Sequence, residues 1–69
     1  MSNQIIRLPQ VIEQTGLSRS TIYLRMSKGD FPQSISLGDR AVGWLQVEVY
    51  QWLEQRISVS RSFGVNHAN

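Results

Sequence analysis

Between Ser18 and Lys28 the chain gathers the hydroxyls of Ser18, Ser20 and Thr21, the guanidinium groups of Arg19 and Arg25, the ammonium of Lys28 and the phenol of Tyr23. These groups donate and accept hydrogen bonds or carry positive charge, so the chemistry they offer is recognition of a polar, anionic partner. Arginine can pair bidentately with guanine, serine and threonine can serve several bases, and an exposed Leu24 suits a thymine methyl. Tyr23 and Lys28 are better placed for phosphates. Covalent chemistry is poorly provided for. His67 is the one histidine and lies near the C-terminus, cysteine is absent, and the five carboxylates are scattered. No nucleophile–base set, no carboxylate pair with split environments, no Gly-rich phosphate loop and no metal-ligand spacing can be assembled. An enzyme is not expected, nor is a cofactor or a metal.

For these side chains to act together they must share a helix face. Ser18 is a good N-cap, because its hydroxyl can accept from a backbone N–H a few residues on. A helix over about Arg19 to Ser27 follows, with Gly29 placed to end it. At about 100° per residue, turning Ile22 and Met26 inward turns Ser20, Thr21, Leu24 and Lys28 outward. Tyr23 and Arg25 then flank that face on opposite sides, and Arg19 sits in the first turn. A shorter helix precedes it: Leu8, Val11 and Ile12 recur at helical spacing, Pro9 suits the first helical position and Gly16 the end. Two short helices joined through a glycine turn make a helix-turn-helix, whose second helix would enter a major groove with its N-terminal residues at base edges. The competing reading of the same face is the solvated side of a surface helix, and Tyr23 divides evenly between half-buried core and phosphate contact.

Downstream the pattern changes. Pro32 pushes Phe31 toward extended backbone. Ser34 to Leu37 alternates, Gly38-Asp39 signals a turn, and Ala41 to Trp44 can return as a second strand. This hairpin would be a wing with Arg40 at its tip, facing a phosphate or a narrow minor groove, or else pairing with Asp39. Arg7, before the first helix, can pair with Glu13 or approach a DNA backbone. A third helix spans about Gln46 to Ile57, with Val49, Trp52 and Leu53 inward and Arg56 laying its stem alongside. Its capping residue is poor. Trp44 and Trp52 are expected in the core rather than as stacking platforms. Ile5, Ile6 and Leu8 form an extended lead-in over the core.

The whole-chain properties agree. With 69 residues the chain holds one domain of marginal core, taken as residues 1–57, followed by a mobile tail over 58–69. The net charge is +2. Arg7, Arg19, Arg25, Lys28 and Arg40 fall in the first part of the chain, opposed there only by Glu13, Asp30 and Asp39. No stretch approaches the ~20 apolar residues of a membrane span, and a secretory leader is not apparent. A cytoplasmic location is the expectation, and no membrane partner is expected.

Leu8-Pro9, Thr15 through Tyr23, Gly29-Asp30-Phe31-Pro32, Leu37 through Trp44, Glu48-Val49 and Trp52-Leu53 together resemble the AlpA family of prophage regulatory proteins, over roughly residues 5 to 56. The resemblance implies a mainly α, MerR-like winged helix-turn-helix with a small β-hairpin wing, akin to small phage excisionases. It also implies a transcriptional regulator that activates an integrase gene and so promotes excision. Ser18 to Arg25 match the family's major-groove helix, and Arg40 its wing arginine. Leu45 departs from the polar or charged residue often found after the tryptophan. The expected partner is double-stranded DNA, with RNA polymerase or an integrase as protein partners. One small module makes a modest interface, so weak self-association and cooperative binding on repeated half-sites are expected. An architectural excisionase that bends attachment-site DNA and a protein-interaction adaptor are the alternatives.

Overall fold

A computed structural model describes residues 4–64. The order of elements is β1 (Ile5–Ile6), α1 (Leu8–Thr15), α2 (Arg19–Ser27), β2 (Ile35–Gly38), β3 (Ala41–Leu45) and α3 (Gln46–Gly64). The strands form an antiparallel sheet in the order β1-β3-β2. Three helices on a small sheet with a β2–β3 wing make the mainly α, winged helix-like fold of the expectation.

Ile5 and Ile6 of the expected lead-in form a strand, whereas Leu8 is not extended but opens α1. Ile5 pairs with Leu45 and Ile6 with Trp44, so β1 forms one edge of the sheet, and Ile6 is buried while Ile5 faces out. Gly43, in the central strand, is required by this closeness. A Cβ there would lie 2.5 Å from Ile5 Cγ2 and 3.0 Å from the Ile6 carbonyl oxygen. The chain then turns at Arg7. Helix α1 starts at Leu8, one residue earlier than expected, because the Gln10 side chain accepts the Arg7 N–H at 2.9 Å and leaves Pro9 in the second position. Thr15 links the turn to α2: its hydroxyl donates to the Val11 carbonyl at 2.7 Å and accepts the Leu17 N–H at 3.2 Å.

Helix α2 ends in a Schellman motif. The Gly29 N–H donates to the Met26 carbonyl at 3.0 Å and the Asp30 N–H to that of Arg25 at 2.8 Å. Gly29 takes φ 74°, a left-handed conformation open to glycine at little cost. The connector that follows is fastened by two indoles: Trp52 Nε1 donates to the Asp30 carbonyl at 2.9 Å and Trp44 Nε1 to that of Pro32 at 3.2 Å. Phe31, between them, is buried and meets the Trp52 ring edge-on, with centroids 4.8 Å apart.

The core is Ile6, Val11, Ile22, Phe31, Trp44 and Val49, with Met26, Trp52 and Leu53 packed partly against it. Trp44 is thus core as expected, and Trp52 lines its edge. The hairpin turns at Asp39–Arg40, one residue past the expected turn, with a register shift between Ser36 and Gly38.

The third helix needs a correction. It does not end at Ile57 but runs on to Gly64, so the mobile tail placed at residue 58 is helical in its first part. No glycine or proline interrupts the chain from Gln46 to Phe63, and serine and valine lower helix propensity without breaking a helix already begun. The weak N-cap is offset by the Gln46 N–H, which donates to the Gln4 carbonyl at 2.8 Å, and by paired amides of Gln14 and Gln46 at 2.9 Å. The last part of the expected tail, His67 included, lies outside the described residues.

Candidate nucleic-acid interface

Ser18 caps α2. Its Oγ accepts the Thr21 N–H at 3.2 Å, donates to Thr21 Oγ1 at 2.9 Å and lies 3.5 Å from Ser20 Oγ. Three hydroxyls therefore cluster at the helix start beside its free N–H groups, which favour an anion. Ser18 and Ser20 are exposed and Thr21 half-buried. Because Thr21 Oγ1 receives the Ser18 hydrogen, its own O–H is left to donate outward.

One turn on, Tyr23 lies at the edge of the core. It is 37% exposed, with its ring edge-on to Trp44 at 6.3 Å and the guanidinium carbon of Arg19 5.5 Å from its centroid. Tyr23 thus joins the buried indole to the surface and gives Arg19 an aromatic platform. Leu24 is 54% exposed, and Lys28, the C-cap residue, is exposed too. Arg40 stands exposed at the hairpin tip with φ 64°, the one non-glycine residue at positive φ among those described. Among the described residues Arg40 forms no ion pair with Asp39, nor Arg7 with Glu13; the ion pair present is Arg25–Asp30.

Arg25 is placed differently from the other expected site residues. Its Nη1 donates to Asp30 Oδ2 at 2.6 Å, and its guanidinium carbon lies 5.9 Å from the Trp52 ring centroid. Ser18, Ser20 and Thr21 come together, and so do Arg19 and Tyr23, whereas Arg25 is drawn to the connector and α3. The roles of Asp30 and of the indole N–H groups were missed in the sequence. Asp30 there is only a carboxylate beside a glycine, and an indole's donor leaves no periodic trace.

Among the described residues no group of His, Cys, Asp and Glu is placed to hold a metal, and no helix is long and apolar enough to cross a membrane.

A family model, the prophage CP4-57 regulatory protein (AlpA), matches residues 4–57, from the residue before β1 to the first three turns of α3. The chain belongs to the AlpA family. Relatives in that direction include the "DNA-binding transcriptional activator AlpA" of Escherichia coli K12, 41% identical over 59 residues that cover 77% of this chain and 84% of that protein. Another is the "Uncharacterized protein ORF88" of Enterobacteria phage P4, 47% identical over 55 residues, covering 80% of this chain. The chain spans 62% of the length of that phage protein. The AlpA match takes in every candidate residue from Ser18 to Arg40 and stops short of the last turns of α3.

Proposed function

We propose that this chain is a sequence-specific, duplex-DNA-binding transcriptional regulator of prophage type, which activates an integrase gene and thereby promotes excision. One observation carries the reading: the exposed face of α2, with Ser18, Arg19, Ser20 and Thr21 at its start and Leu24 and Lys28 further along, on a helix-turn-helix whose wing holds Arg40 at its tip. The E. coli relative named for DNA binding and activation supports it.

The mechanism is binding alone. Lys28, Arg40 and the free N–H groups of α2 hold phosphates and set the register, which makes affinity salt-dependent. Arg19 and the hydroxyls read base edges, and Leu24 offers an apolar contact to a thymine methyl. Tyr23 supports Arg19 and can add a phosphate contact through its hydroxyl. A single module of this size reads few base pairs, so two or more copies act cooperatively on repeated half-sites, and polymerase or integrase is engaged from there. Sedimentation on the natural site then detects more than one copy per duplex.

The test is selection from random duplex DNA with the purified protein, followed by titration of the winner and a scrambled duplex at two salt concentrations. A recovered motif bound far more tightly than the scramble, with both affinities falling with salt, supports the reading. Footprinting then separates the integrase promoter from an attachment site, the latter marking an architectural, DNA-bending role. No binding at low salt overturns the proposal in favour of a protein-interaction adaptor.

A further inference from the structure

Arg25 joins three parts of the fold. Its backbone carbonyl accepts the Asp30 N–H at 2.8 Å, while its guanidinium donates to the Asp30 carboxylate at 2.6 Å. The same guanidinium lies over Trp52, which donates its indole N–H to the Asp30 carbonyl at 2.9 Å. Arg56 lies over the Trp52 ring too, 5.6 Å from its centroid. Arg25 Nε is shielded from solvent with no hydrogen-bond partner, so the base of the guanidinium is packed rather than hydrated. The end of α2, the connector to the wing and α3 all meet at this one planar cation.

Stability is a poor reason for such a pair. The side chains remain 34% and 45% exposed, and ion pairs in that setting contribute little. What the arrangement fixes is geometry. The connector that leads to the wing leaves α2 at Asp30, and Arg25 holds that residue by backbone and side chain at once.

We propose that Arg25 is a positioning residue: it sets the angle between α2 and the wing connector, and so the fit of the α2 face to its duplex, without touching DNA. The proposal rests on the DNA-binding reading above. Lysine is not an equivalent, since an ammonium has neither the flat face that stacks on an indole nor the fork that can hold a carboxylate at the same time.

The test titrates the wild type, Arg25→Ala, Arg25→Lys, Asp30→Ala and the double Ala variant with the selected and scrambled duplexes over a salt series. It is run at a temperature where circular dichroism shows each protein folded. Discrimination is expected to fall by about tenfold in each single variant, Lys included, the scale of a coupled network. The double variant is expected to be no worse than either single one, with the salt slope unchanged. A slope flattened by about one in Arg25→Ala and restored in Arg25→Lys marks a phosphate contact and overturns the proposal. Unchanged discrimination in the Arg25 variants overturns it too, leaving an incidental ion pair. Should the Ala variants not fold, Arg25→Lys decides alone, since it keeps the charge and loses the planar guanidinium that lies over Trp52. The wild-type titration separates the two levels. If the wild type does not bind, the DNA-binding reading falls and this proposal with it; if the wild type discriminates and the variants do so equally, only this proposal falls.

Discussion

Arg40 occupies a backbone conformation that suits glycine better. Its φ of 64° costs a residue with a Cβ about 1 kcal/mol, and an observed departure of this kind points to a role that the conformation serves. Stability and binding should therefore move in opposite directions at this position. Arg40→Gly is expected to raise the melting temperature by about 4 °C or more, to weaken binding to all duplexes and to flatten the salt slope by about one. Arg40→Ala should lose the same binding with no gain in stability. Thermal melts and salt-series titrations check both, and a lower melting temperature for Arg40→Gly would contradict the backbone argument. On α2, Thr21→Ala and Arg19→Ala are expected to weaken binding to the selected duplex more than to the scramble. Ser18 still caps the Thr21 N–H in the first variant, so its fold should be nearly unchanged. Equal losses on both duplexes would place base reading on another face.

At the scale of elements, Gly43 and the end of α3 give opposite expectations. Gly43→Ala pushes a methyl against Ile5 and the Ile6 carbonyl, and overpacking of this kind costs about 1–3 kcal/mol. The loss should appear as faster amide exchange in β1 and in its partner positions on β3. Beyond Ile57, by contrast, Ser58 through Arg61 are all exposed, and the AlpA match has already ended. A chain stopped at Ile57 is expected to melt within a few degrees of the full chain, which scanning calorimetry can check. The two cases also show what could be read in advance. Ser18, Gly16, Gly29 and the Ile22 stripe announced α1, the turn and α2, because capping and periodicity are local. The far end of α3 was missed because a serine-rich stretch without apolar periodicity reads as a tail, although such residues lower helix propensity without ending a helix already begun. Phe31 was readable only as extended backbone before Pro32 and not as core, since nothing near it in sequence reveals that two indoles from β3 and α3 hold its neighbours. Arg25 was readable as a cation on a helix flank but not as the partner of Asp30 and Trp52, because that arrangement exists only once α3 is in place.

At the scale of the molecule, a domain of this size has little core to spare, and among the described residues six apolar side chains supply its buried centre. On the proposed reading, recognition and stability share parts: Trp44, fully buried, packs against Tyr23, and Tyr23 lies under Arg19. That sharing has an optical consequence. The chain contains two tryptophans in unlike surroundings, Trp44 sealed from solvent and Trp52 half-open at the core edge. Acrylamide should dim the second and spare the first, so the light that survives quenching comes chiefly from Trp44. On the proposed reading, a duplex seated on α2 would meet that emitter through the Tyr23 ring alone, and Trp44 emission of the unlabelled protein is then expected to change on binding.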